Sequence, residues 1–308
     1  MTGVPEEAGA PPSGRAGRSR PADAALAERF EEHRGRLRAV AYRMLGSLDE
    51  ADDAVQEAWV RCSAAGVERV ENLGGWLTTI VTRICLNLLR ARAARPETLT
   101  GPDPVLSPAE GPTPEQEALL ADSVGLALLV VLDTLGPAER VAFVLHDVFD
   151  VPFADIAPML SRTPEAARQL ASRARHRVRA AGPHAPEGTV AAQRAVVDAF
   201  FSAARAGNLA ALVELLDPGV VLRTDGSAGG PAEVRGAAAV AGAVIAGASP
   251  HAEFRPVIIN GAAGVLVALR GRPAALVAFT VACGRITAVD TITDPHRVRR
   301  LLAPHSGS

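Results

Sequence analysis

The sequence predicts a multidomain chain: two all-α blocks, the second containing a helix-turn-helix, joined by a flexible linker and followed by an α+β domain. Three observations carry this. Apolar residues recur every three or four positions from Ala24 to Arg95 and again from Glu115 to Ala181. A proline- and glycine-rich stretch, 96–115, separates the two runs and forbids regular structure. After Gly188 the pattern changes to short helices followed by alternating β runs with turn signals between them. A chain of 308 residues is long enough for each of these parts to bury its own core.

Composition excludes several classes. Hydrophobic residues make up 48% and charged residues 21%, an ordinary globular balance. No apolar run reaches the roughly 18 residues of a membrane span, so no membrane partner is expected. Residues 1–23 lack the apolar stretch of a secretory signal and read as a disordered tail. Cys62, Cys85 and Cys283 are odd in number and widely spaced, which supports neither a disulfide framework nor a zinc site. A reducing, cytoplasmic location follows as an expectation, with no metal and no cofactor. The sequence contains no lysine, so arginine alone says little and its clustering says more.

The first block, 24–95, holds three or four helices, marked by Phe30, Leu37, Val40 and Ala41, then Val55, Ala58, Trp59 and Cys62, then Trp76, Leu77, Ile80 and Ile84. Ser47 followed by Glu50 has the spacing of a capping box and starts a helix near Leu48. The stretch Asn72-Leu73-Gly74-Gly75 reads as the loop before the next helix. Between Asp49 and Glu57 stand five acids and no base. With Val55, Trp59 and Cys62 inward, Asp52, Asp53, Gln56 and Glu57 share the outer face. Acids near a helix start ordinarily complement its dipole. Their density on one face points instead to a cationic protein partner.

In the second block, 116–182, helices are expected at 116–134, 138–149, 153–160 and 164–180, the last opened by Thr163 as N-cap and Pro164 at the first helical position. Ile156, Ala157 and Leu160 point inward on the short helix, and Ser161 to Thr163 makes a tight connection. That is helix-turn-helix spacing. Residues 161–180 carry six arginines against one glutamate, in a protein of net charge -2. Ala167, Leu170, Ala171, Ala174 and Val178 form the packed stripe. Arg168, Gln169, Ser172, Arg173 and His176 then face outward, where arginines can reach guanine edges, while Arg175, Arg177 and Arg179 can meet phosphates. A merely solvated basic helix is the alternative.

The last third, 189–302, reads as helices at 189–206 and 208–216, a strand at 219–224, a glycine-rich loop and a helix at 234–247. Strands follow at 252–259, 264–270, 274–283 and 285–292, with turns at Asn260-Gly261 and Cys283-Gly284. Asp225, His251 and Asp290 are its candidate acid–base residues, and none sits in a motif that fixes a catalytic role.

The segments YRMLGSLDEADDAVQEAWVR (42–61), ENLGGWLTTIVTRICLNLLRARA (71–93) and LGPAERVAFVLHDVFDVPFADIAPMLSRTPEAARQLASRARHRV (135–178) closely resemble extracytoplasmic-function sigma factors, in particular the group with a fused SnoaL-like C-terminal domain. The resemblance implies sigma region 2 over 24–95, region 4 over 116–182 and a SnoaL-like cone over 189–302. It implies that Asp52, Asp53, Gln56 and Glu57 dock on the β′ clamp helices of RNA polymerase core, with the β flap as a further contact. It places Asn72 and Leu73 beside an extruded base of the −10 element, with Arg83, Asn87 and Arg90 facing the duplex. The helix-turn-helix would read the −35 element. The cone would regulate rather than catalyse, so no enzyme is expected, and a small-molecule ligand within it is left open. The chain departs from the group's pattern. Its linker has Gly101-Pro102-Asp103-Pro104-Val105-Leu106 where Trp-Leu-Pro-Glu-Pro is common, and Asp225-Gly226-Ser227 and Asn260-Gly261-Ala262 differ from the usual loop motifs. Two other classes stay open on the residues alone: a one-component regulator answering a ligand in the cone, and an enzyme with a DNA-binding appendage.

Overall fold

In the computed structural model, residues 20–65, 70, 72–94, 101–107, 125–181, 187–225 and 232–303 are described. The tail over 1–19, the parts 96–100 and 108–124 of the linker and following helix, and the loop at 226–231 lie outside the described residues.

The first block is three helices: α1 (Arg20–Leu45), α2 (Leu48–Ala65) and α3 (Leu73–Ala93). Helix α1 takes in residues 20–23, which the composition assigned to the tail. Asn72 caps α3, its side chain accepting the Gly75 N–H at 2.9 Å. Phe30, Leu37, Val55, Cys62, Leu77 and Cys85 meet in one core, as the spacing requires.

The second block comprises α4 (Leu126–Asp133), α5 (Pro137–Phe143), α6 (Phe153–Leu160) and α7 (Pro164–Ala181). The helix expected over 138–149 is shorter. From Val144 to Val148 it widens into a π turn, in which the Phe149 N–H reaches the Val144 carbonyl at 3.2 Å. Ser161 ends α6 in the left-handed conformation, and Thr163 Oγ1 accepts the Ala166 N–H at 3.2 Å to start α7.

The C-terminal domain is α+β, as the sequence pattern predicts. Helices α8 (Val190–Arg205), α9 (Leu209–Leu215) and α10 (Ala237–Ala246) cover one face of a seven-stranded sheet. Its strands are β1 (Leu106–Ser107), β2 (Leu216–Thr224), β3 (Ala232–Arg235), β4 (Ala252–Ile259), β5 (Ala262–Leu269), β6 (Arg272–Ala282) and β7 (Arg285–Ile292). They run in the order β1-β4-β5-β6-β7-β2-β3, and among the described residues β2 and β7 pair in parallel while the other pairs are antiparallel. A last helix, α11 (Pro295–Leu302), closes the opposite face, where Val298 and Leu301 pack on Leu266, Leu276 and Ile292. The space under α8 is filled by Phe200, Phe201, Phe254 and Phe279, whose rings meet at 4.4–5.7 Å.

Strand β1 comes from the linker. Leu106 pairs with Ile259 and Ser107 with Ile258, so residues expected as a flexible connection form an edge strand of the C-terminal sheet. Burial and main-chain pairing together offset the entropy that proline and glycine leave in such a stretch. Val105, Ile259 and Ala278 join the same buried cluster as the cores of both helical blocks, so the three parts are packed into one body.

Candidate nucleic-acid interface

On α2 the side chains of Asp52, Asp53, Gln56 and Glu57 are all exposed, and Ala51, Ala54, Val55 and Ala58 are buried beneath them. The acids are not equivalent. Asp52 is held by Arg38 at 2.5 and 2.8 Å, and Glu57 by Arg61 one turn later. Among the described residues Asp53 has no ion-pair partner. Val60, 58% exposed, adds an apolar spot at the end of the same face.

On α3, Arg83, Asn87 and Arg90 lie on one exposed face with Leu88 beside them. Leu73 does not join them. It is 3% exposed and packs in the helical core, because the first residue of α3 faces α1 and α2, so the expectation that it borders an extruded base is corrected. Asn72 is exposed, but its side-chain oxygen is already committed to capping α3. It lines a cavity of about 600 Å³ with His33, Arg36 and Trp76, and the far wall is built by Phe149 and Asp155 of the second block. Arg83 reaches the Pro158 carbonyl at 3.5 Å and Arg36 the Phe149 carbonyl at 3.5 Å. Arg83, on the face of the first block expected to meet DNA, thus contacts α6.

On α7, Arg168, Gln169, Ser172, Arg173 and His176 are all exposed, and Ala167, Ala171 and Ala174 are buried. Arg168 lies over the Phe153 ring at 5.4 Å. Arg175 is paired with Asp147 at 2.9 Å, so a phosphate has to compete for it. Arg177 is held by Glu139 at 2.9 Å, and Arg173 by the same carboxylate at 3.0 Å. Arg179 is exposed.

The candidate acid–base residues of the last third do not converge. His251 is exposed at a turn. Val289 faces the aromatic interior, so Asp290, next along the strand, faces the other side, where it pairs with Arg223 at 3.3 Å. Arg223 in turn reaches the Ala181 carbonyl at the end of α7 at 3.5 Å. Burial pushes the Asp290 carboxyl up to about 6, against the opposing pull of Arg223. The folded chain therefore holds this proton to higher pH than the unfolded chain, and the stability it contributes is lost as pH rises through about 4 to about 6, on the order of 2–3 kcal/mol. Relative to Asp290→Asn, the wild-type melting temperature is expected to fall between about pH 4.5 and about pH 7. Parallel melting curves for the two proteins would contradict this.

The sequence named Asp103, Asp225 and Asn260 for other reasons and did not show that they join the blocks. Tyr42, the one tyrosine of the chain, has its hydroxyl 3.1 Å from both the Asp103 carbonyl and Asn260 Oδ1, two acceptors that share its single proton. Asn260 Oδ1 also accepts the Val105 N–H at 2.7 Å, and its own N–H donates to the Val105 carbonyl at 2.9 Å. Arg297 of α11 binds Asp103 at 3.0 Å, Asp225 at 3.3 Å and the Pro102 carbonyl, while Arg300 takes the other oxygen of Asp103 at 2.8 Å. Asp225 is thereby a structural acceptor and also holds Thr293. Arg140, 2% exposed and paired with Asp133 at 2.7 Å, brings the second block beside Gly46 of the first. Gly46, at a φ of +74°, is needed at this junction, since a Cβ there would stand 2.9 Å from Pro102 Cβ.

Residues 29–95 match the Sigma-70 region 2 family and residues 125–178 the Sigma-70, region 4 family. The chain is 34% identical over 285 residues to the probable ECF RNA polymerase sigma factor SigI of Mycobacterium tuberculosis, an alignment spanning 90% of this chain and 96% of the relative. The chain belongs to the extracytoplasmic-function sigma factors. This sigma factor is also 41% identical over 209 residues to SigJ of the same organism, which is 67% of each chain. The crystal structure of Mycobacterium tuberculosis SigJ superposes on it with a TM-score of 0.68 at 34% identity, covering 88% of this chain and 97% of that one. The two helical blocks are therefore the sigma regions, and the protein is a sigma factor of transcription initiation. Among the described residues, no helix of this sigma factor is long and apolar enough to cross a membrane.

Proposed function

We propose that this sigma factor binds core RNA polymerase through Asp53, Gln56 and Glu57 of α2, with Asp52 at the edge of that face. Helix α3 meets the −10 element through Asn72, Arg83, Asn87 and Arg90, and α7 reads the −35 element through Arg168, Gln169, Ser172, Arg173 and His176. Arg177 and Arg179 take phosphates, as does Arg175 once released from Asp147. Unstacking a base for melting costs a few kcal/mol, which the polar wall around Asn72 is placed to offset.

The C-terminal domain modulates this activity by holding the chain closed. One observation carries that reading: linker residues Leu106 and Ser107 are paired into the C-terminal sheet while Arg83, on the −10 face, is turned against Pro158 of the helix-turn-helix. The two DNA-reading faces must separate to touch two promoter elements at once. The grip on the linker therefore biases the chain toward a form that cannot do so. A ligand in the cone is not required, since four phenylalanines occupy its interior.

In vitro transcription with core polymerase and a promoter library tests the reading directly. Template-specific initiation is expected, and none at any promoter would refute it. On the selected promoter, Arg168→Ala is expected to relax preference at one or two −35 positions, costing about 1–3 kcal/mol of discrimination. Arg179→Ala is expected instead to weaken all sequences evenly and to flatten the salt dependence by about one unit. Equal behaviour of both variants on matched and mismatched templates would rule out base reading by Arg168.

A further inference from the structure

The basic face of α7 is organised by a residue that lies outside it. Glu139 belongs to α5, and its Oε2 lies 3.4 Å from the Gly136 N–H. Its side chain is 12% exposed, whereas those of Arg173 and Arg177 are each 55% exposed. Arg173 donates Nε to Oε1 at 3.0 Å, and Arg177 donates Nη1 to Oε2 at 2.9 Å. One nearly buried carboxylate thus serves two exposed guanidinium groups spaced four residues apart on the helix.

The consequences are geometric and electrostatic. Each contact uses one N–H of a group that carries five, so the outer edge of each fork stays free for DNA. An arginine side chain has many rotamers, and one already held in a single orientation loses less freedom on binding. The carboxylate also cancels one of the two positive charges beside it, which lowers the attraction for any phosphate backbone regardless of sequence.

We infer that Glu139 is a positioning residue for −35 recognition: it orients Arg173 and Arg177 on α7 and holds down their non-specific attraction to DNA. This rests on the assignment of α7 to the −35 element. A residue that only stabilised the helix-turn-helix would, when changed, weaken matched and mismatched binding together. Loss of a positioning carboxylate has a different signature, because both arginines are freed as mobile cations. Binding to mismatched DNA rises while discrimination falls.

The experiment uses the full-length protein assembled with core polymerase, and promoter fragments with intact or substituted −35 elements, over about 50 to 200 mM salt. Glu139→Gln, of the same shape without the charge, is expected to raise affinity for the substituted fragment, to steepen the salt dependence by about one unit and to reduce discrimination about fivefold or more. Glu139→Asp retains the charge and is expected to keep the wild-type salt slope, which provides a second variant should the first fold poorly. Arg173→Ala serves as the reference for base reading. If Arg173→Ala lowers discrimination while Glu139→Gln leaves it intact, or weakens both fragments equally, the positioning role is overturned. If Arg173→Ala leaves discrimination unchanged, the −35 assignment fails first and the proposal falls with it.

Discussion

Reversing Asp53 and Glu57 to arginine is expected to abolish capture of core RNA polymerase while α2 stays folded. The side chains of both residues are exposed, and the packing of α2 rests on Ala51, Ala54, Val55, Ala58 and Cys62, which the change does not touch. Within the helix, Glu57→Arg replaces the acid that Arg61 now holds with a second cation, a like-charge pair four residues apart worth only a few tenths of a kcal/mol. Across an interface the effect is larger. Like charges brought together at a specific contact cost several kcal/mol, and two reversals exceed what most protein interfaces can absorb. Asp53 carries the larger share, because among the described residues it has no ion-pair partner to lose, whereas Asp52 is already neutralised by Arg38. The measurement is a pull-down with core enzyme alongside far-ultraviolet circular dichroism. Unchanged capture at unchanged helicity would remove α2 from the polymerase interface, and a single reversal at Asp52 should weaken capture least.

Much of this surface was legible in the sequence because a helix reports its buried face through its period. The same property explains the exposed set on α7, where small residues at 167, 171 and 174 mark the packed side. What periodicity reports is burial, and it is silent on the identity of the neighbour. Leu73 was therefore placed at the DNA although it is core, and the pairing of Tyr42 with Asn260, 218 residues apart, left no local trace. Strand β3 was missed for a related reason: its four residues are largely exposed, so no alternation marks them. Helix α11 did carry a signal, Asp294 as N-cap followed by Pro295, but eight residues dense in arginine present little apolar stripe. Glu139 was visible only as the acid of a helix start, which is where acids ordinarily fall. Its partners came from a helix more than thirty residues away.

Releasing the linker from the C-terminal domain is expected to change transcription without changing polymerase capture, and the structure indicates two substitutions that do this with little damage to either part. Asn260 has a φ of +49°, a conformation glycine adopts without strain, so Asn260→Gly keeps the turn while removing the oxygen that binds Val105 and Tyr42. Arg297→Ala removes the contacts to Pro102 and Asp103 from the opposite side of the linker. Each change leaves a polar partner on the linker unsatisfied in the docked form, at about 1–3 kcal/mol apiece, and Arg297→Ala also removes a pair with Asp225 inside the C-terminal domain, where Asp225 keeps its bonds to Thr293. Contacts between domains of one chain are typically modest, so a combined loss of about 2–6 kcal/mol is enough to shift docking by one or more orders of magnitude. Once β1 leaves the sheet edge, Arg83 and the −10 face are no longer obliged to rest on α6, and the open form becomes populated. Two readings follow for the doubly substituted protein: faster proteolysis between residues 95 and 107, and multi-round transcription several-fold above wild type at equal active concentration, with the largest gain at weak promoters. Faster cleavage accompanied by identical transcription at every promoter strength would show that the grip on the linker plays no part in regulation, whereas a drop in transcription would mean that the docked domain assists initiation instead of restraining it.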